Sequence, residues 1–312
     1  MNFPFELSAA KKFDAAGFGT NAVDYLIRVP EYPVFNSKVE LDGYIRAAGG
    51  EAASAMVGLQ RLGLKTAYIG RFGVDPEGEY GLQTLVDEGV NIAFSERRAD
   101  AKTQIAFILI DARNGERTVI WQRDEKLAYT ESDVPLAAAV LAKVLHITPH
   151  DTKACIRLVR AAKAAGAIIS IDIDKVFDGI DELLPLVDVC IASPDLAESL
   201  AGLNDNRRVL RELKSRFGCP VIAITLGASG SIVLSEDSII DTAGFDVPGG
   251  CVDTTGAGDA FRAGFLYGML KRQTIEKSAR IANAVAALKC RRPGARAGLP
   301  TQNELTLLLK NI

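Results

Sequence analysis

The stretch Asp253-Thr254-Thr255-Gly256-Ala257-Gly258-Asp259-Ala260-Phe261 sets two glycines and two carboxylates at the start of a run that reads as a helix. Gly256 and Gly258 let the backbone bend close to a ligand, and successive N–H groups at a helix N-terminus form an anion cradle that the helix dipole reinforces. Phe261, Phe265 and Met269 follow at i, i+4 and i+8, a buried stripe that would fix the helix and aim its first turn. Asp259 then lies beside the cradle. Its ionised form is favoured there, so it could accept the proton of a hydroxyl that attacks a phosphate held next to it. The chemistry implied is phosphoryl transfer. A glycine-rich connector with Asp259 as a plain helix-start residue is the other reading of the local string.

A second constellation lies far upstream. Gly49-Gly50-Glu51-Ala52-Ala53-Ser54 leads into Ala55-Met56-Val57-Gly58-Leu59-Gln60-Arg61-Leu62-Gly63, where a glycine pair permits close approach of a ligand and the small residues read as a helix packed tightly on a sheet. Asp24, in Gly19-Thr20-Asn21-Ala22-Val23-Asp24, is a carboxylate suited to accept hydrogen bonds from two neighbouring hydroxyls of a polyol.

The nine-position string D-T-x-G-A-G-D-x-F, joined with the Gly49-Gly50 segment, resembles the two signatures of the ribokinase-like (pfkB) carbohydrate kinases. The resemblance runs from Gly17 to about Pro300 in the order that family uses. It implies an α/β, three-layer, ribokinase-like fold with a mostly parallel central sheet, helices on both faces and a small β lid. It implies an ATP-dependent kinase in which Asp259 is the catalytic base and Gly256, Ala257 and Gly258 form the anion hole. Asp24, Gly49, Gly50 and Ser54 fall on the sugar-binding positions, and Thr225, Gly227, Gly230 and Asn283 on the nucleotide side. Ser193-Pro194-Asp195-Leu196-Ala197-Glu198 occupies the place of the family's N-x-x-E motif, so Asp195 and Glu198 are its implied magnesium residues. Helix capping by Asp195 is an equal alternative. Asp253 and Thr255, with the Gly294 to Gly298 loop, fall where family members hold potassium.

Ribose-specific members carry Gly-Gly-Lys-Gly-Ala-Asn at the second signature, whereas this chain has Glu51 and Ser54 at the lysine and asparagine positions. The tail Val285 to Pro300 is similar to that of sulfofructose kinases. The expected acceptor is therefore a terminal hydroxyl of a ketohexose or an acidic derivative, rather than ribose. Arg28, Arg117 and Arg123 are candidates for reading an acidic substituent only because they fall in the lid, and a solvated lid face is the reading preferred for each. A nucleoside or sugar-phosphate kinase of the same family is the alternative, as is a non-catalytic sensor, which would have no chemical need for Asp259.

Composition agrees with an enzyme of this kind. The 312 residues are 48% hydrophobic, enough for a large core, and are read as a single kinase domain over 1–312. A net charge of −3 supplies no basic excess for a nucleic-acid or anionic-membrane surface. The start Met1 to Glu6 lacks the basic-then-apolar pattern of a signal peptide, and no long apolar run occurs, so a soluble cytoplasmic protein is expected. Five widely spaced cysteines, Cys155, Cys190, Cys219, Cys251 and Cys290, read as buried thiols, and His146 and His150 as loop or core residues.

The elements that would carry these groups alternate. Strand-like runs at 167–173, 187–192 and 221–226 are each preceded by a helix-like segment, the pattern of a parallel sheet covered on both faces. Helices are expected at 152–165, 207–217, 275–289 and 302–310, the last opened by a Thr301/Glu304 capping box. Two β-rich stretches, 25–47 and 104–123, the second with a turn over 111–116, break the alternation and are assigned to the lid, through which family members often form homodimers. Gly17-Phe18-Gly19-Thr20-Asn21-Ala22 also fits a dinucleotide-binding G-x-G-x-x-A. That fingerprint needs a helix directly after the glycines, whereas Val23 to Pro30 is β-rich, so the glycines are read as a turn that places Asp24.

Overall fold

Ile168-Ile169-Ser170-Ile171-Asp172-Ile173 shows how the sheet is specified. Alternate side chains of a strand go to opposite faces, yet all six are buried, so both faces must be covered. The computed structural model describes residues 1–8, 11–113, 116–173 and 175–310. Its eight-stranded sheet is ordered β14-β13-β12-β11-β10-β9-β1-β4, where β1 is Phe13–Phe18, β4 Thr66–Ile69, β9 Ala142–Ile147, β10 Ile168–Ile173, β11 Val189–Ala192, β12 Val221–Thr225, β13 Ser231–Ser235 and β14 Ser238–Thr242. The six strands from β12 to β4 are parallel, and β13 and β14 add an antiparallel edge. Ile169, Ile171 and Ile173 join an apolar layer with helices Thr152–Ala164, Pro194–Ala201 and Asn206–Phe217. Ile168 faces the other layer, built from helices Glu51–Arg61, Ala257–Leu270 and Ile275–Lys289. The result is the three-layer α/β architecture, and the four expected helices stand within one residue of their expected bounds. Thr301 and Glu304 form the capping box, with Thr301 N–H donating to Glu304 Oε2 (2.8 Å) and Glu304 N–H to Thr301 Oγ1 (3.3 Å).

The two β-rich stretches form one four-stranded sheet of order β3-β2-β7-β8, from β2 (Ala22–Val29), β3 (Gly43–Gly49), β7 (Ile105–Asp111) and β8 (Arg117–Gln122). Of the turn expected over 111–116, Asn114 and Gly115 lie outside the described residues. A short pair, β5 (Arg71–Gly73) with β6 (Glu96–Arg98), stands apart. Asp24 is the third residue of β2, so the carboxylate expected to meet a sugar is carried by the lid itself, after a bend at Gly19. That strand rules out the dinucleotide reading of Gly17 to Ala22. Leu26, Ala106 and Ile108, on the same face of the lid as Asp24, form a small apolar cluster of their own.

Arg61, at the end of the Glu51–Arg61 helix, holds the C-terminal tail against this scaffold. Its guanidinium pairs with Glu88 (2.5 and 2.8 Å) and donates to the carbonyls of Arg296 (3.0 Å) and Leu299 (2.8 Å). Replacing Arg61 with alanine leaves the Glu88 carboxylate and the Leu299 carbonyl without this donor and the Arg296 carbonyl with only the Leu299 N–H. A loss of about 1.5–3 kcal/mol is expected from the midpoint of urea unfolding at unchanged slope. A loss under about 0.5 kcal/mol, the usual range for surface changes, would mean that the tail is held elsewhere.

Candidate active site

The glycine pair has a steric cause on the sugar side. A Cβ on Gly49 would collide with Asp24 Oδ2, and one on Gly50, whose φ is 87°, would enter the backbone of Asn21. Both residues must lack a side chain for the Asp24 carboxylate and the bend before it to press against the helix start. Asp24 is nearly buried. Burial raises its pKa to about 6, opposed by the charge of Arg296 and assisted by those of Asp259 and Asp253. Those couplings bring the two signatures, distant in sequence, into one electrostatic site. Glu51 stands at the same helix start, with Thr20 Oγ1 (3.5 Å) and His150 Nδ1 (4.0 Å) against its carboxylate.

On the phosphoryl side, Gly256 caps the Ala257–Leu270 helix in a left-handed conformation (φ 75°, ψ 9°), and a Cβ there would lie 2.7 Å from Ala295 Cα. Ala257 N–H turns back to Thr254 O (3.0 Å), so that amide is already engaged, while Gly258 holds a first-turn position that has no intrahelical acceptor. Asp259 follows in the first turn, largely buried. Arg262, one turn on, is buried beneath. Its guanidinium pairs with Asp172 (2.5 Å), donates to Ile191 O (3.2 Å) and approaches within 2.5 Å of where a Gly258 Cβ would stand.

The tail loop joins the two sides. Asp253 accepts Thr255 N–H (2.8 Å) on Oδ1 and Gly294 N–H (2.7 Å) on Oδ2, and its main-chain carbonyl accepts the ammonium of Lys289 (2.8 Å). Burial alone would raise the Asp253 pKa, but the Thr255 amide, the Lys289 charge and the Gly294 amide outweigh it and leave the carboxylate below its usual range. From the same loop Arg296, buried, donates to Gly49 O (2.5 Å), Thr84 Oγ1 (3.1 Å) and Ser54 Oγ (3.2 Å). The lid closes on this assembly: Arg117 of β8 reaches Thr254 Oγ1 at 2.6 Å. A cleft of about 690 Å³ lies between the lid and the turn, lined among others by Leu26, Arg28, Ile45, Cys251 and Asp253.

A buried carboxylate beside the Gly49–Gly50 bend and a glycine-bounded helix start with its own buried aspartate thus lie within electrostatic reach of one another, and comparison with known proteins decides what they belong to. The model of the pfkB family carbohydrate kinases matches residues 18–302. The chain belongs to that family. It is 33% identical over 256 residues to an uncharacterised sugar kinase of Archaeoglobus fulgidus, covering 78% of this chain and 98% of the relative. It is 27% identical over 298 residues to a nucleoside kinase of Methanothermobacter thermautotrophicus, covering 93% and 94%. The ribokinase of Arabidopsis thaliana, solved with ribose and ATP, superposes with a TM-score of 0.83 at 22% identity over 96% of this chain and 99% of that one.

Several expected residues of this kinase stand differently from their assignment. Ser54 is fully buried and its hydroxyl is held by Arg296, so it offers no surface to a sugar and bears on the pocket through that arginine. Asn283 is buried too, and its Nδ2 donates to Ser231 Oγ, Thr242 O and Ala243 O (3.1–3.3 Å), bracing the β13–β14 edge. The cap of helix Pro194–Ala201 is Ser193 (Oγ to Leu196 N, 3.4 Å), not Asp195. Asp195 and Glu198 are exposed at its start, just past the carboxyl end of β11, where they suit contact through the waters that magnesium retains. Among the described residues no group of three or more His, Cys, Asp or Glu could hold a metal directly. Potassium does not fit at Asp253, whose carbonyl already accepts an ammonium and whose two side-chain oxygens accept amides; Thr255 Oγ1 alone is buried with no partner among the described residues.

Thr225 ends β12, and Gly227 and Gly230 bound the tight turn to β13, where Leu226 N–H meets Gly230 O at 2.7 Å; Gly227 is exposed with open space above it. Of the three lid arginines, Arg123 is committed to Asp151 by two bonds of 2.9 Å, Arg117 to Thr254, and Arg28 is exposed 3.8 Å from Asp42. Cys251 is exposed, contrary to expectation; the other four thiols and His146 are buried, and His150 nearly so, its ring 5.0 Å from that of Phe177. No helix among the described residues is long and apolar enough to cross a membrane. Arg262, Lys289, Arg296 and the Arg117–Thr254 bridge were not anticipated. A charged residue inside an apolar helical run, as in Ala260-Phe261-Arg262-Ala263, is the signal that would have found the first of them.

Asp24 yields a test with a definite sign. A carboxyl whose folded pKa of about 6 exceeds its unfolded value favours the folded state below the unfolded pKa, and that contribution is lost as pH rises through 6. Asp24→Asn is therefore expected to be more stable than the wild type at pH 8 by on the order of 2–3 kcal/mol, with the gap closing below about pH 6 and gone below about pH 4. Denaturant titrations across that range check it; a pH-independent gap would place the burial cost elsewhere. Sugar KM should move oppositely, rising in the wild type as pH falls below 6, because only the ionised carboxylate accepts two hydroxyls.

Proposed function

We propose that this kinase transfers the γ-phosphoryl group of ATP to a terminal hydroxyl of a small sugar, most consistent with a ketohexose or an acidic derivative of one. The observation that carries the reading is the electrostatic meeting of Asp24 with Asp259 across the Arg296 loop. Asp24 orients the polyol, and Asp259 accepts the proton of the attacking hydroxyl as its oxygen bonds to the γ-phosphorus. The bond from that phosphorus to the β,γ-bridging oxygen breaks, and ADP leaves. First-turn amides at Gly258 and beyond, with the helix dipole, face the equatorial oxygens of the transferred group. Magnesium, which accompanies the nucleotide, would neutralise phosphate charge, with Glu198 and Asp195 as the carboxylates available to its waters. The exposed turn at Gly227 leaves room for the nucleotide beside β12. The Arg117–Thr254 bond ties lid closure to the catalytic turn, so that water is excluded when the hydroxyl is in place.

Specificity rests on charge placement. Glu51 at the helix start disfavours an anionic group nearby, while Arg28 in the cleft favours one at the other end of the sugar. The lid face opposite Asp24 exposes Tyr44, Phe107 and Ile120, which supports a homodimer through the lid.

Asp259→Asn keeps shape but cannot accept the proton. Turnover is expected to fall about 100- to 10,000-fold with ATP affinity by calorimetry preserved. Wild-type turnover in that variant would remove Asp259 from the chemistry. For the acceptor, kcat/KM for fructose, sulfofructose, fructose phosphates, a keto-deoxy sugar acid, ribose and a nucleoside should favour a six-carbon ketose or its acid. A preference for ribose would overturn the ketose assignment, and a preference for the nucleoside would move this chain towards the activity named for its Methanothermobacter relative.

A further inference from the structure

We propose that the ammonium of Lys289 is a built-in monovalent cation for the phosphoryl-transfer turn, and that this kinase therefore works without potassium. Lys289 is the last residue of helix Ile275–Lys289 and is fully buried, although lysine is rarely found so unless it is paired. Its Nζ donates to the main-chain carbonyl of Asp253 at 2.8 Å. Asp253 in turn begins the turn that delivers Gly256, Gly258 and Asp259. Burial pulls the Lys289 pKa below its ordinary value, and the Arg117 charge adds to that, but the charges of Asp253 and Asp259 oppose it, so the group faces the acidic side of the site as well as the core. The tail closes over it: a Cβ on Gly298 would collide with the Lys289 carbonyl, and Gly294 N–H is drawn onto Asp253.

A free cation at this place would have to displace amide donors from the Asp253 carboxylate and sit beside a fixed positive charge, which like-charge repulsion opposes. The ammonium supplies the same positive charge without a binding step, and it is held by the same helix and loop that fix the turn. Lys289 is thus a positioning residue that acts through the Asp253 turn and touches neither the sugar nor the nucleotide.

The inference rests on the kinase reading, so its test has one arm that needs no turnover. The wild type is melted, and separately assayed, in tetramethylammonium chloride progressively replaced by potassium chloride at constant ionic strength. A resident cation would raise the melting temperature with concentration and saturate; here the melting temperature is expected to stay flat and kcat to change by less than about twofold. A saturable rise in melting temperature, or stimulation beyond about tenfold, would overturn the proposal. In the second arm Lys289→Ala is expected to lose at least about 100-fold in kcat in tetramethylammonium chloride and to recover at least about tenfold in ammonium or potassium chloride, which enter the vacated space. Recovery in those salts is something a merely structural lysine would not show. Wild-type turnover by the variant in tetramethylammonium, or a folded variant that no cation revives, would also overturn it. If Lys289→Ala fails to fold, the wild-type melting titration decides alone. A flat titration beside a protein inactive on every acceptor would sink the kinase reading and leave the cation-free turn standing.

Discussion

The clamp between the Asp253 turn and the tail loop is the constraint on which the rest of the site depends. Three oxygens of one residue bind three separated donors: Thr255 N–H within the turn, Gly294 N–H in the loop, and the Lys289 ammonium at a helix end. The loop so fixed carries Arg296 to the Gly49 carbonyl and Ser54, while Arg61 grips its carbonyls from the first helix. The two halves of the site are therefore registered to one another through a few residues of tail, in addition to the direct packing of helix Glu51–Arg61 on helix Ala257–Leu270. A shift of the loop would move the hydroxyl acceptor and the anion cradle relative to each other, and transfer in line needs their spacing held to a fraction of an ångström.

This arrangement buries more charge than a core of this size needs for stability. Asp24 with Arg296, Asp172 with Arg262, and Lys289 all lie at or below the margin of solvent access. Replacing buried ion pairs with apolar side chains is often neutral or stabilising. Their placement argues for a different return. Dipoles and charges fixed before substrate arrives do not have to reorganise during the reaction, and they act more strongly where water is excluded. Arg262 illustrates it, since its guanidinium lies directly under the first turn of the Ala257–Leu270 helix, the proposed phosphate cradle, and is held there by Asp172 and Ile191 O.

How far this could be read from the chain divides along physical lines. Periodicity and end signals are local, so Thr301 with Glu304, and the helices at 152–164 and 275–289, stood almost where expected. Gly49, Gly50 and Gly256 were legible because only glycine survives those close approaches. The partners of Ser54 and Asn283 were not legible because they are remote in sequence: Arg296 holds the first, and the β13–β14 edge holds the second. Asp195 was weighed as a cap, yet Ser193, two positions earlier, accepts the amide. Lys289 and Arg296 gave no local warning, sitting in a tail rich in basic residues of which only these two are buried and turned towards the site.

The division of labour between the two sheets follows from the same geometry. Chemistry is held by the parallel sheet and the helix that starts at Ala257, elements with a continuous apolar core on both sides. The lid's own buried cluster is small, Leu26, Ala106 and Ile108, and it is joined to the rest by polar ties: Arg117 on Thr254, Tyr25 on Glu77, Arg46 on the Pro76 carbonyl and Arg296 on the Gly49 carbonyl. A unit held by polar ties and a small apolar cluster can open at less cost than the cradle, which is set in the main core, because the stability of a segment scales with the apolar contacts it makes. Asp24 belongs to that unit. On the proposed function, lid opening would carry the Asp24 carboxylate into water, where it ionises more readily, and closure over a sugar would replace that water with hydroxyls. On that reading substrate recognition and closure are one equilibrium, and the burial that raises the Asp24 pKa is the cost that bound hydroxyls offset.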